Sequence, residues 1–209
     1  MTHRFRDDED KFIVEESKEN FETWTSKDFI SSEIRESIKS ASILIVPTIG
    51  FREPNELTFP IGTEDFFQYI KENLPENFTI DFCINDDDYQ ELALYSNYRR
   101  LGNFLVTTVA LSVFLNLLSS YIYDKAIKED ESKPPIQIIN IDNSKHQTII
   151  NSTEETKLPK KFLEAPKVKF SITVVDRNGT SKDFHYEGPA KDVKNITEEI
   201  KKLWDNESK

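Results

Sequence analysis

Three consecutive aspartates, Asp86, Asp87 and Asp88, follow the apolar run FTIDFCI and precede a polar stretch. Carboxylates grouped at a strand end are hard oxygen ligands, and the ion that suits them is Mg²⁺. The same run also suits a helix start, where aspartates cap free N–H groups and complement the positive end of the helix dipole. A second group, Arg52, Glu53 and Glu56, lies in GFREPNELTFPIG, the connection after another apolar run, SILIVPTI. Ligands of open α/β sheets bind beyond the carboxyl ends of the strands, so the two groups together mark a candidate ligand site. Apart from Mg²⁺ at the aspartates, no cofactor is expected.

No other pattern names a reaction. His3, His146 and His185 are far apart, without a cysteine or aspartate at metal-ligand spacing. There is no glycine-rich phosphate loop and no Gly-x-Ser-x-Gly turn. The single cysteine, Cys83, sits inside an apolar run, which excludes a disulfide framework and fits a reducing compartment. The absence of catalytic motifs inclines the reading away from an enzyme.

The elements that would hold these residues follow from periodicity. Residues 1–27 read as a charged arm with one short strand at Phe12–Val14. In DFISSEIRESIKSA, Ile30, Ile34 and Ile38 recur at helical spacing. SILIVPTI is a continuous β-branched run, a buried strand ended by Pro47 and Gly50. TEDFFQYIKENL is a helix with Phe66, Phe67, Ile70 and Leu74 on one face, and FTIDFCI is a second strand. Strand, helix and strand within so short a span predict a parallel βαβ unit. A further helix is expected to open at Asp86–Asp88 and run through Leu92, Tyr95 and Tyr98, so that 28–100 forms an α/β domain. Residues 129–165 read as a linker with a hairpin in it. In 166–209, KVKFSITVV alternates, DRNGT carries an Asn-Gly turn, SKDFHYEG returns, and a helix places Val193, Ile196 and Ile200 on one face. This hairpin–helix module is too small for a good core alone and must pack on something else. The fold class predicted is α+β.

Between the halves, NFLVTTVALSVFLNLLSSYIY (103–123) contains no charged residue. As one helix it would cover roughly 31 Å, close to the hydrocarbon thickness of a bilayer. Residues 101–128 are therefore expected to form one hydrophobic helix that either spans a membrane or is buried in a soluble assembly. Thr108, Ser112, Asn116, Ser119 and Tyr123 fall within about 80° on a helical wheel. A narrow stripe of hydroxyls and one amide, without charge, marks a helix–helix contact.

Charge is distributed unevenly about this segment. Residues 1–100 carry 11 Lys+Arg against 22 Asp+Glu, whereas 124–209 carry 16 of each. Neither half has the concentrated basic patch that a phosphate backbone requires, so nucleic acid is not an expected partner. The first residues, MTHRFRDDEDKF, have no apolar signal-peptide core, so secretion is not expected. The expected location is the cytoplasm or the inner membrane; for a spanning segment, Arg99 and Arg100 favour an inside N-terminus. Abundant Asn, Ile, Lys and Glu suggest an AT-rich bacterial genome.

The order of an α/β unit, one uncharged helix and then VKFSITVVDRNGTSKDFHYEGPAKDVKNITEEI resembles the effector-associated constant component domains of bacterial conflict systems. The resemblance covers residues 42–205 in outline and departs at the N-terminal arm and the 129–165 linker. It implies a non-enzymatic accessory or adaptor protein beside an effector in anti-phage defence, with a protein partner or a second copy as its contact, and it transfers no catalytic residue. The alternative from the residues alone is a small α/β enzyme or nucleotide sensor using the strand-end loops.

Overall fold

The computed structural model describes residues 11–51, 53, 55–93, 98–128 and 166–207. In chain order the strands are β1 (Lys11–Ser17), β2 (Ile43–Val46), β3 (Thr48–Ile49), β4 (Leu57–Pro60), β5 (Ile80–Phe82), β6 (Glu91–Leu92), β7 (Tyr98–Thr107), β8 (Lys167–Val175) and β9 (Ser181–Pro189). The α-helices are α1 (Phe21–Thr25), α2 (Ser32–Ser40), α3 (Thr63–Asn73), α4 (Thr108–Ile122) and α5 (Val193–Glu207). Six strands form one mixed sheet in the order β1-β9-β8-β7-β2-β5, and β3, β4 and β6 form a small second sheet. The protein is α+β.

The βαβ unit is present: β2 and β5 run parallel, with Ile43 opposite Ile80, and α3 lies between them in sequence. All four residues of β2 are buried, so it is apolar at every position and not alternating. Ile43 and Ile45 face α3 and α4, while Leu44 and Val46 face α2.

The uncharged run is not one helix. Its first five residues complete β7, and the helix starts only at Thr108. Phe104, Leu105 and Val106 are each buried, with Phe104 and Val106 on one face of the sheet and Leu105 on the other. A strand buried on both faces is uncharged for the same reason as a membrane helix, because neither face meets water. The 15 residues of α4 cover roughly 22 Å, short of a bilayer core of about 30 Å. Among the described residues no helix is long and apolar enough to cross a membrane, which corrects the spanning alternative.

A second correction concerns the helix expected from Asp86 onwards. Asp86–Asp88 form a single 3-10 turn, followed by β6 and then β7. Leu92 and Tyr98, whose spacing suited a helix, belong to separate strands, the two-residue β6 and the start of the ten-residue β7; such runs do not discriminate period by themselves. A register shift between Arg100 and Gly102 interrupts β7 against β8, and Gly102 takes φ +107° there, a left-handed value that a side chain resists.

β7 and β8 are parallel, with Phe104 opposite Ile172, and α4 falls between them in sequence. β8 and β9 form the expected hairpin, closed by Gly179 N–H to Asp176 C=O (3.0 Å) and Asp176 N–H to Thr180 C=O (2.8 Å), with Gly179 at φ +86°. Phe170, Ile172, Val174, Phe184 and Tyr186 share one core with Val193 and Ile200 of α5 and with α3 and α4. The hairpin is therefore interior to the sheet, and the surface it packs on is its own chain. Within the charged arm, residues 11–27 are structured: β1 pairs antiparallel with β9 along all seven residues, and α1 follows it.

One face of the sheet carries α3, α4 and α5 over a large core in which Phe66 meets Phe104 (5.1 Å) and Tyr121 (5.0 Å). On the other face α1, α2 and the loop between them bury Trp24, Ile38 and Ile30 against Leu44, Val46, Cys83, Leu105 and Val175.

Candidate functional site

The structure places the described residues singled out from sequence in three separate settings. Asp86–Asp88 are held by Asn85, whose amide donates to Asp88 Oδ2 (2.8 Å) and to Phe29 C=O (2.9 Å) and accepts from Ser31 N–H (3.2 Å). Asn85 thus ties the acidic turn to the loop entering α2. Among the described residues no group of three or more His, Cys, Asp or Glu side chains is disposed to hold a metal ion. Glu53 is exposed at the tip of the β3–β4 connection, where its carbonyl accepts from Glu56 N–H (3.0 Å), and Glu56 C=O accepts from Gly50 N–H (2.8 Å). Arg52 lies outside the described residues.

The α4 stripe makes its contacts within the chain. Thr108 Oγ1 donates to Val175 C=O (3.1 Å), Ser119 Oγ meets Thr197 Oγ1 of α5 (3.1 Å), and Asn116 Oδ1 accepts from Lys201 Nζ (3.1 Å). Ser112 and Tyr123 are exposed.

A crevice of about 300 Å³ opens at the carboxyl ends of β7 and β8, lined by Asn20, Glu22, Thr108, Val109, Asp176 and Arg177 among others. It sits at the N-terminus of α4, whose N-cap, Thr107, makes no side-chain capping bond. Sequence reasoning missed it because a helix over 101–128 starts seven residues before Thr108 and hides the end of β7. A strand end facing a turn at Asp176–Gly179 was the available signal.

Glu91 is a second residue missed from sequence. From β6 its carboxylate accepts from Gly62 N–H (3.0 Å), Glu64 N–H (2.9 Å) and the Tyr89 hydroxyl (2.8 Å), capping α3 from outside that helix. Burial works against its charge, but the N–H groups of Glu64 and Gly62 and the Tyr89 hydroxyl outweigh it and hold the carboxyl below its ordinary range.

Among the described residues, the other reactive side chains noted from sequence are Cys83 and His185. Burial pushes the Cys83 thiol up to about 12, with Lys27 opposing, so little thiolate forms at neutral pH. His185 Nδ1 lies 2.8 Å from Ser171 Oγ across the β8–β9 pair. In the same row Lys169 Nζ donates to Glu187 (2.7 Å), holding that carboxyl low, and Thr173 Oγ1 donates to Asp183. These cross-strand pairs pave a polar surface.

That surface is the part of the second sheet face that α1 and α2 leave open. Along β8, β9 and β1 its side chains are mostly half-buried or exposed, and only Val175 and Ser181 are buried. It ends at β1, whose outer side pairs with no strand among the described residues. Ile13 and Val14, on opposite faces of β1, are 44% and 39% exposed. The opposite edge, β5, has only three residues. Edge strands are ordinarily short, charged at their centre or covered; β1 is long and apolar at its centre. The sequence carried this signal in the run KFIVEES, read only as a short strand at Phe12–Val14. Compared with known proteins, the chain matches no family model, no curated protein and no solved structure.

Proposed function

We propose that this chain is a non-enzymatic adaptor that assembles with a protein beside an effector in a bacterial defence system. One observation carries the reading: a polar sheet face over β8, β9 and β1 that ends, among the described residues, in a seven-residue edge strand with exposed apolar side chains. Such an edge is a template for strand addition, in which main-chain hydrogen bonds supply affinity and alternate side chains supply specificity. The layout of an α/β unit, an apolar helix and a hairpin–helix supports placing it beside an effector. The test is co-expression with the products of adjacent genes and mass measurement by light scattering. A defined complex with one of them, weakened by Ile13→Lys, is the expected result. Separate elution of every neighbouring product would refute the reading.

A second reading, a nucleotide sensor or small enzyme, draws on the crevice at the α4 N-terminus. A thermal-shift screen with nucleotides, with and without Mg²⁺, decides between the two. A ligand that binds only the native state raises the melting temperature, so a shift abolished by altering Arg177 would favour the crevice.

A further inference from the structure

We infer that the outer edge of β1 is the two-fold interface of a homodimer, in which two six-stranded sheets join into one through antiparallel β1–β1 pairing. The inference rests on the assembly reading above and names a second copy of this chain as the partner at that edge.

Symmetry and register select one arrangement. A two-fold axis between identical antiparallel strands must place side chains of the same sheet face opposite one another, so one residue has to face its own copy. With Ile13 on the axis, Ile13 meets Ile13, Lys11 meets Glu15 and Glu15 meets Lys11 on the open face. On the helix face Phe12 meets Val14 and Val14 meets Phe12. Every apolar side chain then meets an apolar one, and Lys11 and Glu15 meet their opposites; Glu16 has no counterpart within β1 and keeps its own ion pair with Lys182 on β9 (3.2 Å). Moving the axis to Val14 sets Ile13 against Glu15 and Phe12 against Glu16, which leaves apolar groups facing carboxylates. Lys11, Ile13, Val14 and Glu15 are all exposed in the single chain. Phe12 is already seated, stacked on Phe184 at 6.4 Å, so the strand is presented in a fixed position. Neither Lys11 nor Glu15 belongs to the crevice or to the core.

Charge swaps on the full chain provide the test, read by sedimentation equilibrium over a concentration series. Lys11→Glu sets Glu against Glu at two symmetric positions, and Glu15→Lys sets Lys against Lys. Each single swap is expected to weaken dimerisation about tenfold, because two pairs turn from attractive to repulsive. The double variant K11E/E15K restores opposite charges at both positions and is expected to recover the dimer. Circular dichroism and melting temperature show whether each variant is folded, which matters because Lys11 also lies opposite Glu187 on β9. A chain that stays monomeric at all concentrations overturns the inference. So does a dimer indifferent to both swaps, or a monomer whose β1 amides are already protected by another segment of the same chain. A monomer that still binds a neighbouring gene product through β1 would overturn the homodimer while the adaptor reading stands.

Discussion

At the residue scale, Glu91 shows how one side chain can secure an element to which it does not belong. It supplies the acceptors that the N-terminus of α3 lacks, because Gly62 at the N-cap has no side chain to offer. Glu91→Ala is expected to cost about 1 kcal/mol at neutral pH by urea unfolding, the usual loss of a helix cap. The folded carboxyl titrates below its unfolded value, so its contribution is complete above the unfolded glutamate pKa, about 4.3, and fades as pH falls through the lower folded value. The difference between parent and variant is therefore expected to shrink once the pH drops below about 4. Cys83 offers a second check at this scale. Fully buried and with its pKa raised, it is expected to react with a thiol reagent in urea but hardly at all in the native chain. Rapid native reaction would mean that the contact between α2 and the sheet opens readily. None of this was visible from composition: Glu91 lies in a stretch read as helix, and its role depends on β6 pairing with β4.

At the element scale, the boundary at Thr107–Thr108 decides the architecture. A strand buried on both faces and the helix after it share one compositional signature, and only their joint length matched a membrane span. The βαβ unit and the terminal hairpin were legible because each carries its own punctuation: Pro47 and Gly50 after β2, Asn178-Gly179 between β8 and β9. β6 and β7 were not, because nothing in NDDDYQELALYSNYRRLGN separates short strands from a helix. Two variants test the helix pair α4–α5. Asn116 meets Lys201 at the exposed margin, so Asn116→Leu is expected to change stability by no more than about 0.5 kcal/mol and to leave the oligomer mass unchanged. Ser119 meets Thr197 in the half-buried contact, so Ser119→Leu is expected to cost about 1–3 kcal/mol through overpacking. A change of mass with Asn116→Leu, measured by light scattering, would move the association surface back to α4. Gly102 tests the bulge: at φ +107°, Gly102→Ala is expected to destabilise the chain by about 1 kcal/mol or more in the same unfolding assay.

At the scale of the whole molecule, the segments distinguished by composition share one sheet. β1 from the charged arm, β2 and β5 from the α/β unit, β7 from the join and β8–β9 from the C-terminal region are hydrogen-bonded neighbours. Sequence showed that the hairpin–helix needed support; it did not show that β8 lies between β7 and β9, because a parallel pairing across more than fifty residues leaves no local trace. Residues 165–209 expressed alone would lose β7, β1 and α4 together, and weak amide protection in a hydrogen-exchange experiment is the expected result. The location of the candidate surface follows from the same topology: the arm that looked peripheral forms the open edge. Amide exchange along Lys11–Ser17 tests the central claim most directly, comparing the dilute chain alone with the chain assembled at high concentration or with a neighbouring gene product. The account predicts that β1 amides slow on assembly while those at the crevice, 107–110 and 176–179, are unchanged. Unchanged β1 amides, with slowing at the crevice when a nucleotide is added, would contradict it.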